Sequence, residues 1–273
     1  MIIWLASYPK SGNTLVRSMI AAYLFSSDGI YNFDLIKNIK EFPHARLFTN
    51  LGYDIRNQKK TFKNYVKIQE TFNRKDSVQF LKTHSKYFHY QKKHSFSNLD
   101  NTLGVVYIVR DPRNVLTSFS KFKNLSYEST LDFMTRGVGD QLTWTDNWAE
   151  NFNSWKYLKS FEKYLLIKYE DLIQNRELTF LKILEFIHKL NNTKLTLDKK
   201  KLDNVVETTS FEYMQKLEKE KGFDEANFDS KSGEKIPFFF LGPKNDWKKL
   251  LDKEVALTIE NSFKKEMKEL GYL

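Results

Sequence analysis

The sequence predicts an α/β protein with a three-layer α/β/α fold around a small central parallel sheet. The first observation is a set of short apolar runs, rich in β-branched and aromatic residues, which are typical of buried strands; they lie at residues 2–6, 78–81, 103–109 and 164–168. The second is that apolar residues at helical spacing follow the first, third and fourth runs. The third is that hydrophobic residues make up 41% of the chain, which is ample for a core covered on both faces.

Length and composition restrict the class of protein. At 273 residues, without an internal repeat or a long Gly/Ser/Pro linker, we expect a single domain over residues 1–273. No apolar run approaches the ~20 residues of a membrane span, so we expect no stable membrane insertion. A strand that begins at residue 2 leaves no room for a signal peptide, and the absence of Cys fits a reducing compartment, so we expect a cytoplasmic protein.

The net charge of +10, from 44 Lys+Arg against 34 Asp+Glu, favours an anionic partner. The lysines are scattered among acidic residues rather than set in one basic stripe, so we do not expect a nucleic-acid partner. A phosphorylated ligand fits better. The alternative is that the lysines only make the surface soluble.

The first element with chemical content is the loop S-Y-P-K-S-G-N-T at residues 7–14, between the first strand and a helix. Backbone N–H groups at a helix N-terminus favour anions, and the loop adds the Lys10 ammonium and the Ser11 and Thr14 hydroxyls. It is not a Walker A loop, in which the lysine follows the second glycine, because here Lys10 precedes Gly12. The loop therefore predicts a P-loop-like phosphate site, and the alternative is an ordinary turn with a chance lysine.

Residues 26–75 are predicted to be mostly helical, with an amphipathic piece at 34–40, and to cover the substrate cleft. The next strand, at 78–81, ends in Lys82 and His84, which face the same side of an extended chain. Open α/β sheets bind ligands at the carboxyl ends of their strands, and histidine accepts a proton near neutral pH. The pair predicts a general base beside a charge-stabilising cation, and the alternative is a histidine that merely ends a strand. The spacing of His89 and His94 fits no metal site.

The strand at 103–109 leads into Arg110, and Pro112 suits the first turn of a helix with Asp111 as its N-cap. Arg110 at this junction suits a bidentate phosphate contact, and Ser118 lies eight residues further on. The alternative for Arg110 is an ion pair with Asp111.

Together, P-K-S-G-N-T at 9–14, K-T-H at 82–84 and Arg110 with Ser118 resemble the sulfotransferases that use 3′-phosphoadenosine 5′-phosphosulfate (PAPS), especially the cytosolic and bacterial branch. The resemblance implies that the first loop holds the 5′-phosphosulfate, that His84 is the catalytic base, and that Arg110 and Ser118 bind the 3′-phosphate. It also implies that Lys10 and Lys82 stabilise charge on the leaving phosphate, without a metal.

The resemblance continues towards the end of the chain. Y-E-D-L at 169–172 and T-S-F at 209–211 match the elements beside adenine, and G-x-x-x-D-W-K at 242–248 matches part of a third element. The residues that the resemblance assigns to the donor are Lys10, Ser11, Gly12, Asn13, Thr14, Leu15, Arg110, Ser118, Tyr169, Thr209, Phe211, Gly242 and Lys244.

Several positions depart from the family pattern, including Asn245 in place of a second glycine and Lys253 beside Asp252. Phe240 and Leu241 replace an Arg-Lys pair of the 3′-phosphate site, with Lys244 as the nearest candidate substitute, and Leu15 replaces a tryptophan that stacks on adenine. Asn151 stands where the family often has a histidine. The family's dimerisation pattern is absent around Asp252, so we carry over no dimer.

The remaining segments lack clear chemistry. Residues 125–162 are predicted helical, with Trp144, Trp148 and Trp155 on one face as core packing. Residues 223–241 are predicted to be loop-like, with Phe238 to Phe240 as either an acceptor-site wall or a buried edge. Helices are predicted at 178–190, 197–207, 212–221 and 253–270.

We therefore expect an enzyme that moves a sulfuryl group from PAPS to a hydroxyl or amine of a small-molecule acceptor by in-line transfer, with His84 as general base. One alternative is a P-loop nucleotide kinase or NTPase, which requires a Gly-Lys-[Ser/Thr] motif and an acidic Mg²⁺ ligand. The other is a non-catalytic protein that binds nucleotides or polyanions, whose affinity would fall steeply with salt.

Overall fold

A computed structural model describes residues 1–73, 77–140, 142–229 and 232–273. The predictions for 26–75, 125–162 and 223–241 extend over residues 74–75, 141 and 230–231, which lie outside the described residues. Within the described part, the strands are β1 Ile2–Ser7, β2 Lys40–Glu41, β3 Gln79–Thr83, β4 His89–Tyr90, β5 His94–Ser95, β6 Thr102–Val109, β7 Val138–Gly139, β8 Trp144–Asp146, β9 Tyr164–Lys168, β10 Asn227–Phe228 and β11 Lys235–Ile236.

Five of these strands form one parallel sheet in the order β2-β3-β1-β6-β9. The central strand β1 pairs with β3 from Ile2↔Gln79 to Ala6↔Thr83 and with β6 on its other side. Every residue of β1 is buried, as expected for a strand covered on both faces. The remaining strands form three short antiparallel pairs, β4-β5, β7-β8 and β10-β11.

Helices cover both faces of the sheet. In the described residues they are α1 Asn13–Phe25, α2 Ala45–Thr49, α3 Gln58–Lys63, α4 Tyr65–Phe72, α5 Pro112–Lys123, α6 Tyr127–Arg136, α7 Trp148–Trp155, α8 Tyr169–Gln174, α9 Arg176–Leu190, α10 Lys199–Thr208, α11 Phe211–Lys221, α12 Trp247–Leu250, α13 Lys253–Ser262 and α14 Lys264–Glu269. Short 3₁₀ turns lie at Leu35–Asn38, Lys156–Phe161 and Gly242–Lys244.

Successive side chains of β1 point to opposite faces of the sheet and so belong to two different hydrophobic layers. Trp4 packs in one layer with residues of α2 to α7, α13 and α14, and Leu5 packs in the other with α1 and α8 to α11. This is the predicted three-layer arrangement, which is confirmed, together with the strands at 2–6, 78–81, 103–109 and 164–168.

Three predicted helical segments are wrong in part. The piece at 34–40 is a 3₁₀ turn followed by β2, because Lys40 and Glu41 extend to pair with Leu81 and Lys82, and this pairing outweighs local helical spacing. Trp144 lies on β8 rather than on the helix of Trp148 and Trp155, although the latter two are fully buried in the core. The helix predicted at 253–270 is interrupted at Phe263, which caps α13 and whose ring packs against Trp148.

Candidate active site

The carboxyl ends of four parallel strands meet at one edge of the sheet and carry the polar residues singled out above. The first loop follows β1, Lys82 and His84 come at the end of β3, Arg110 follows β6, and Tyr169 follows β9. In open α/β sheets this edge is where ligands bind.

A cavity of about 570 Å³ opens at this edge. The residues predicted for the site that line it are Lys10, Gly12, Asn13, Thr14, Leu15, Lys82, His84, Arg110, Ser118, Tyr169, Thr209, Phe211 and Gly242. Ser11 and Lys244 are not among the lining residues: Ser11 is buried in the loop, and Lys244 is exposed. One cavity therefore brings together thirteen of the fifteen predicted side chains or backbone positions.

Gly12 allows Tyr169 to lie directly against the first loop. Its φ is +102°, and a Cβ atom at this position would be 2.5 Å from Cδ2 of Tyr169. Any other residue would therefore be strained in its backbone and would displace the ring. The close approach joins the loop after β1 to the end of β9.

Lys10 lies between two aromatic rings. Its Nζ is 4.0 Å from the centroid of Phe238 and 4.2 Å from that of Phe122. Burial, with repulsion from Arg110, lowers the pKa of Lys10 to about 7. An anion bound in the cavity would compensate this desolvated ammonium.

His84 has a defined tautomer. Its Nδ1 is 2.9 Å from the backbone O of Ser7, and because a carbonyl oxygen only accepts, Nδ1 carries the proton and Nε2 carries the lone pair. Burial and the nearby Lys82 lower the pKa of His84 to about 4. The imidazole is thus neutral at pH 7 and able to accept a proton at Nε2.

Two carboxylates that sequence reasoning missed flank Lys82. Its Nζ is 3.4 Å from Glu41 Oε1 and 3.8 Å from Glu225 Oε2, and Glu225 Oε1 is 2.7 Å from Nη1 of Arg17. Burial raises the pKa of Glu225, but Lys82 and Arg17 outweigh it and hold the pKa below its ordinary value. The segment 223–241 is therefore tied to α1 and β3 by charge.

Arg110 faces the cavity rather than its neighbour in sequence. Its Nη1 donates to the backbone O of Lys10 at 3.1 Å, and its guanidinium carbon is 4.1 Å from the centroid of Tyr169. Its Nε is buried and has no hydrogen-bond partner among the described residues. The proposed alternative of an ion pair with Asp111 is wrong, because Asp111 pairs with Arg113 at 2.7 Å.

Asn151 supports the site without lining it. Its Nδ2 donates to the backbone O of His84 at 2.9 Å and of Thr145 at 2.7 Å, and its Oδ1 accepts from the Tyr107 hydroxyl at 2.8 Å. The amide thus fixes the backbone that carries His84, and it is fully buried.

An aromatic wall, formed by Phe119, Phe122, Phe133 and Phe238, lines the rest of the cavity. Glu218 on α11 anchors it by accepting backbone hydrogen bonds from Phe238 at 2.8 Å and Phe239 at 2.9 Å. Phe238 to Phe240 all line the cavity, as a wall would, and of the three only Phe239 is buried in the core, whereas Phe240 is exposed. Of the predicted cover at 26–75, only Glu41 is among the lining residues in the described part of the chain.

Residues 1–73, 77–140, 142–229 and 232–273 contain no group of three or more His, Asp or Glu side chains arranged to hold a metal ion. No helix in these residues is both long and apolar enough to cross a bilayer.

Comparison with known proteins identifies the family. The sequence model of the sulfotransferase domain matches residues 2–271. The chain is 23% identical to an amine sulfotransferase of Oryctolagus cuniculus, with 98% of this chain and 81% of that protein covered. It is 26% identical to a flavonol 3-sulfotransferase of Flaveria bidentis, with 94% and 79% covered.

Solved structures agree on the fold. Retinol dehydratase in complex with retinol and PAP superposes with a TM-score of 0.61 at 18% identity, covering 98% of this chain and 81% of that one. A mouse sulfotransferase complexed with PAP gives a TM-score of 0.58 at 18% identity, covering 97% and 83%. The P-loop-like fold is therefore confirmed. Since the family match covers nearly the whole sequence, the resemblance seen in the motifs is confirmed as well: the chain belongs to the sulfotransferase family, whose enzymes depend on PAPS.

Proposed function

We propose that this sulfotransferase transfers the sulfuryl group of PAPS to a hydroxyl or amine of a small molecule, with His84 as general base. The observation that supports the proposal most directly is that Lys10, Lys82, His84 and Arg110, from the ends of three neighbouring strands, line one cavity. The assignment of roles to these residues belongs to the proposal.

The residues present fit a donor with several anionic groups. The Ser11 hydroxyl and Arg110 Nε are buried without partners among the described residues, and the Lys10 ammonium is desolvated. We assign the 5′-phosphosulfate to the loop at 10–14 and the 3′-phosphate to Arg110 and Ser118. Lys121, which lines the cavity one helical turn after Ser118, is better placed than Lys244 to support this phosphate.

We assign the nucleoside to five other residues that line the cavity. They are Leu15, Tyr169, Thr209, Phe211 and Gly242, all of which line it. Tyr169, which packs against both Gly12 and Arg110, links this part to the phosphate-binding part.

When bound, PAPS supplies an activated sulfuryl group attached to a phosphate leaving group. The proton transfer and the stabilisation of charge are carried out by residues of this chain. His84 accepts the acceptor's proton at Nε2. The Ser7 carbonyl accepts a hydrogen bond from Nδ1–H, which keeps the proton on Nδ1 and leaves Nε2 unprotonated. Lys10 and Lys82 stabilise the negative charge that develops at the phosphate. Catalysis in this arrangement is mostly positioning and electrostatics.

The acceptor part of the cavity is aromatic and carries acidic residues. The aromatic wall favours a flat or apolar acceptor, and Glu41, Asp140 and Glu225 disfavour an acidic one. Relatives named for an amine and a flavonol support a small molecule with an amine or hydroxyl group.

Calorimetric titration without metal tests the donor site. We expect adenosine 3′,5′-bisphosphate to bind with micromolar or tighter affinity, and AMP and ATP to bind at least tenfold more weakly. Transfer is then measured with PAPS and a panel of phenols, flavonols and amines. Equal binding of the three nucleotides would contradict the proposed 3′-phosphate site. Tight binding without transfer to any acceptor would favour a non-catalytic binder.

A further inference from the structure

Arg176 is a charged residue in the cavity that neither the motifs nor the proposed mechanism uses. It is the first residue of α9, is partly buried, and lines the cavity. Its Nη1 donates to the backbone O of Val206 at 3.1 Å. Its Nε is buried and has no hydrogen-bond partner among the residues that the structure describes. A buried donor without a partner in a cavity points to a ligand group that accepts.

The neighbours of Arg176 place it in the nucleoside part of the cavity. Thr209 Oγ1 donates to the Val205 carbonyl at 2.7 Å, next to the carbonyl that Arg176 uses, so both side chains attach to the last turn of α10. Tyr169, which follows β9, lines the same cavity. The Arg176 guanidinium therefore lies in the same part of the cavity as Tyr169 and Thr209.

The surroundings of Arg176 suit a neutral ring better than a phosphate. Burial lowers the pKa of Arg176, and the Glu212 carboxylate opposes that shift, so it lies near the guanidinium and would repel a second anion. Three other residues that line the cavity are apolar: Leu15 on α1, Ile173 on α8 and Phe211 on α11.

We propose that Arg176 is a further donor-binding residue that recognises the purine base by donating Nε–H to an unprotonated ring nitrogen. Because the Nη1 bond to Val206 fixes the guanidinium, Nε–H is held at one position, which the ammonium of a lysine at the end of its flexible stem does not reproduce. This inference rests on the proposed function, because it assumes a nucleotide donor in the cavity.

The test measures binding rather than turnover, with two ligands and three proteins. Wild-type protein, Arg176→Ala and Arg176→Lys are titrated with adenosine 3′,5′-bisphosphate and with base-free ribose 3,5-bisphosphate. We expect both variants to lose about tenfold or more in affinity for the adenosine ligand and less than twofold for the base-free ligand. Arg136→Ala, which removes an exposed arginine on α6, is the matched control. Thermal melts establish that the variants fold.

The outcomes separate this inference from the proposed function. If wild-type protein does not bind the adenosine ligand, the proposed function fails. If it binds and the variants lose equal affinity for both ligands, Arg176 acts on a phosphate or only on the fold, and the inference is overturned. Unchanged affinity, or full retention by Arg176→Lys, overturns it as well. If the base-free ligand binds too weakly to measure, the lysine variant decides, since a phosphate contact would survive in it.

Discussion

The cavity has one side made of strand ends and another made of helices and loops, and the two sides differ in how their residues are held. On the strand side, Lys82, His84 and Arg110 lie within two residues of paired strands in the middle of the sheet. On the other side, Arg176 comes from the start of α9, and Phe238 comes from the loop after β11, whose backbone donates hydrogen bonds to Glu218. We propose that the strand side binds the phosphates and carries the sulfuryl transfer, and that the other side selects the base and the acceptor. Changes on the first side should alter kcat or phosphate affinity, and changes on the second should alter affinity for the base or KM for the acceptor.

The largest expected effect is that of His84→Ala. Removing the base at a fixed position should lower kcat by roughly 10²–10⁴-fold, because Nε2 no longer accepts the acceptor's proton. Affinity for adenosine 3′,5′-bisphosphate should stay within about twofold. Steady-state kinetics with PAPS and an acceptor from the panel, together with calorimetry, measure both. His188→Ala, on α9, is the control. Near-wild-type turnover of the His84 variant would remove His84 from the mechanism.

A smaller effect concerns the charge of Lys10. Because its pKa in the free protein is lowered to about 7, Lys10 loses its proton as the pH rises above 7, and a bound anion favours the protonated form. Affinity for the bisphosphate should therefore fall above pH 7, by up to about tenfold per pH unit. Lys10→Gln should bind the bisphosphate weakly, and its affinity should lack the part of the pH dependence that comes from Lys10. The phosphates titrate alike in both proteins, so the affinity ratio between them isolates Lys10. A ratio that stays constant from pH 6 to 9 would contradict the prediction.

The smallest effect is expected from Glu218→Gln, on the selective side. The change removes the charge that strengthens two hydrogen bonds to Phe238 and Phe239, so the aromatic wall should loosen. We expect the acceptor KM to rise about threefold to tenfold with kcat unchanged within twofold. Glu220→Gln, on the same helix and facing Lys216, should leave both constants unchanged. A fall in kcat at constant KM would mean that the two sides are not separable in this way.

The two sides also differ in how far they could be predicted from sequence. Lys10, Lys82, His84 and Arg110 each follow a short apolar run, so a local pattern is enough to place them at strand ends. Parallel strands then bring them together without further information. The same reasoning explains why the fold class was predicted correctly.

Glu41, Glu225 and Arg176 were missed because no local pattern marks them. Glu41 lies on a strand of two residues, and Glu225 reaches the site through Arg17, 208 residues away in sequence. Trp144 was placed on a helix for a related reason: its spacing to Trp148 is helical, but β8 forms through its pairing with β7. Such features depend on tertiary packing, which a single sequence does not display.

The enclosure of Lys10 by Phe122 and Phe238 has a consequence for folding as well as for binding. A desolvated ammonium near two other cations opposes the folded state, so the polypeptide keeps a residue that works against its own stability. A neutral side chain of similar length at position 10 would relieve this opposition and would remove the charge that we propose for binding the donor. Selection for activity and selection for thermal stability therefore favour different residues at this position. Bound nucleotide would shift the equilibrium towards the folded protein by mass action.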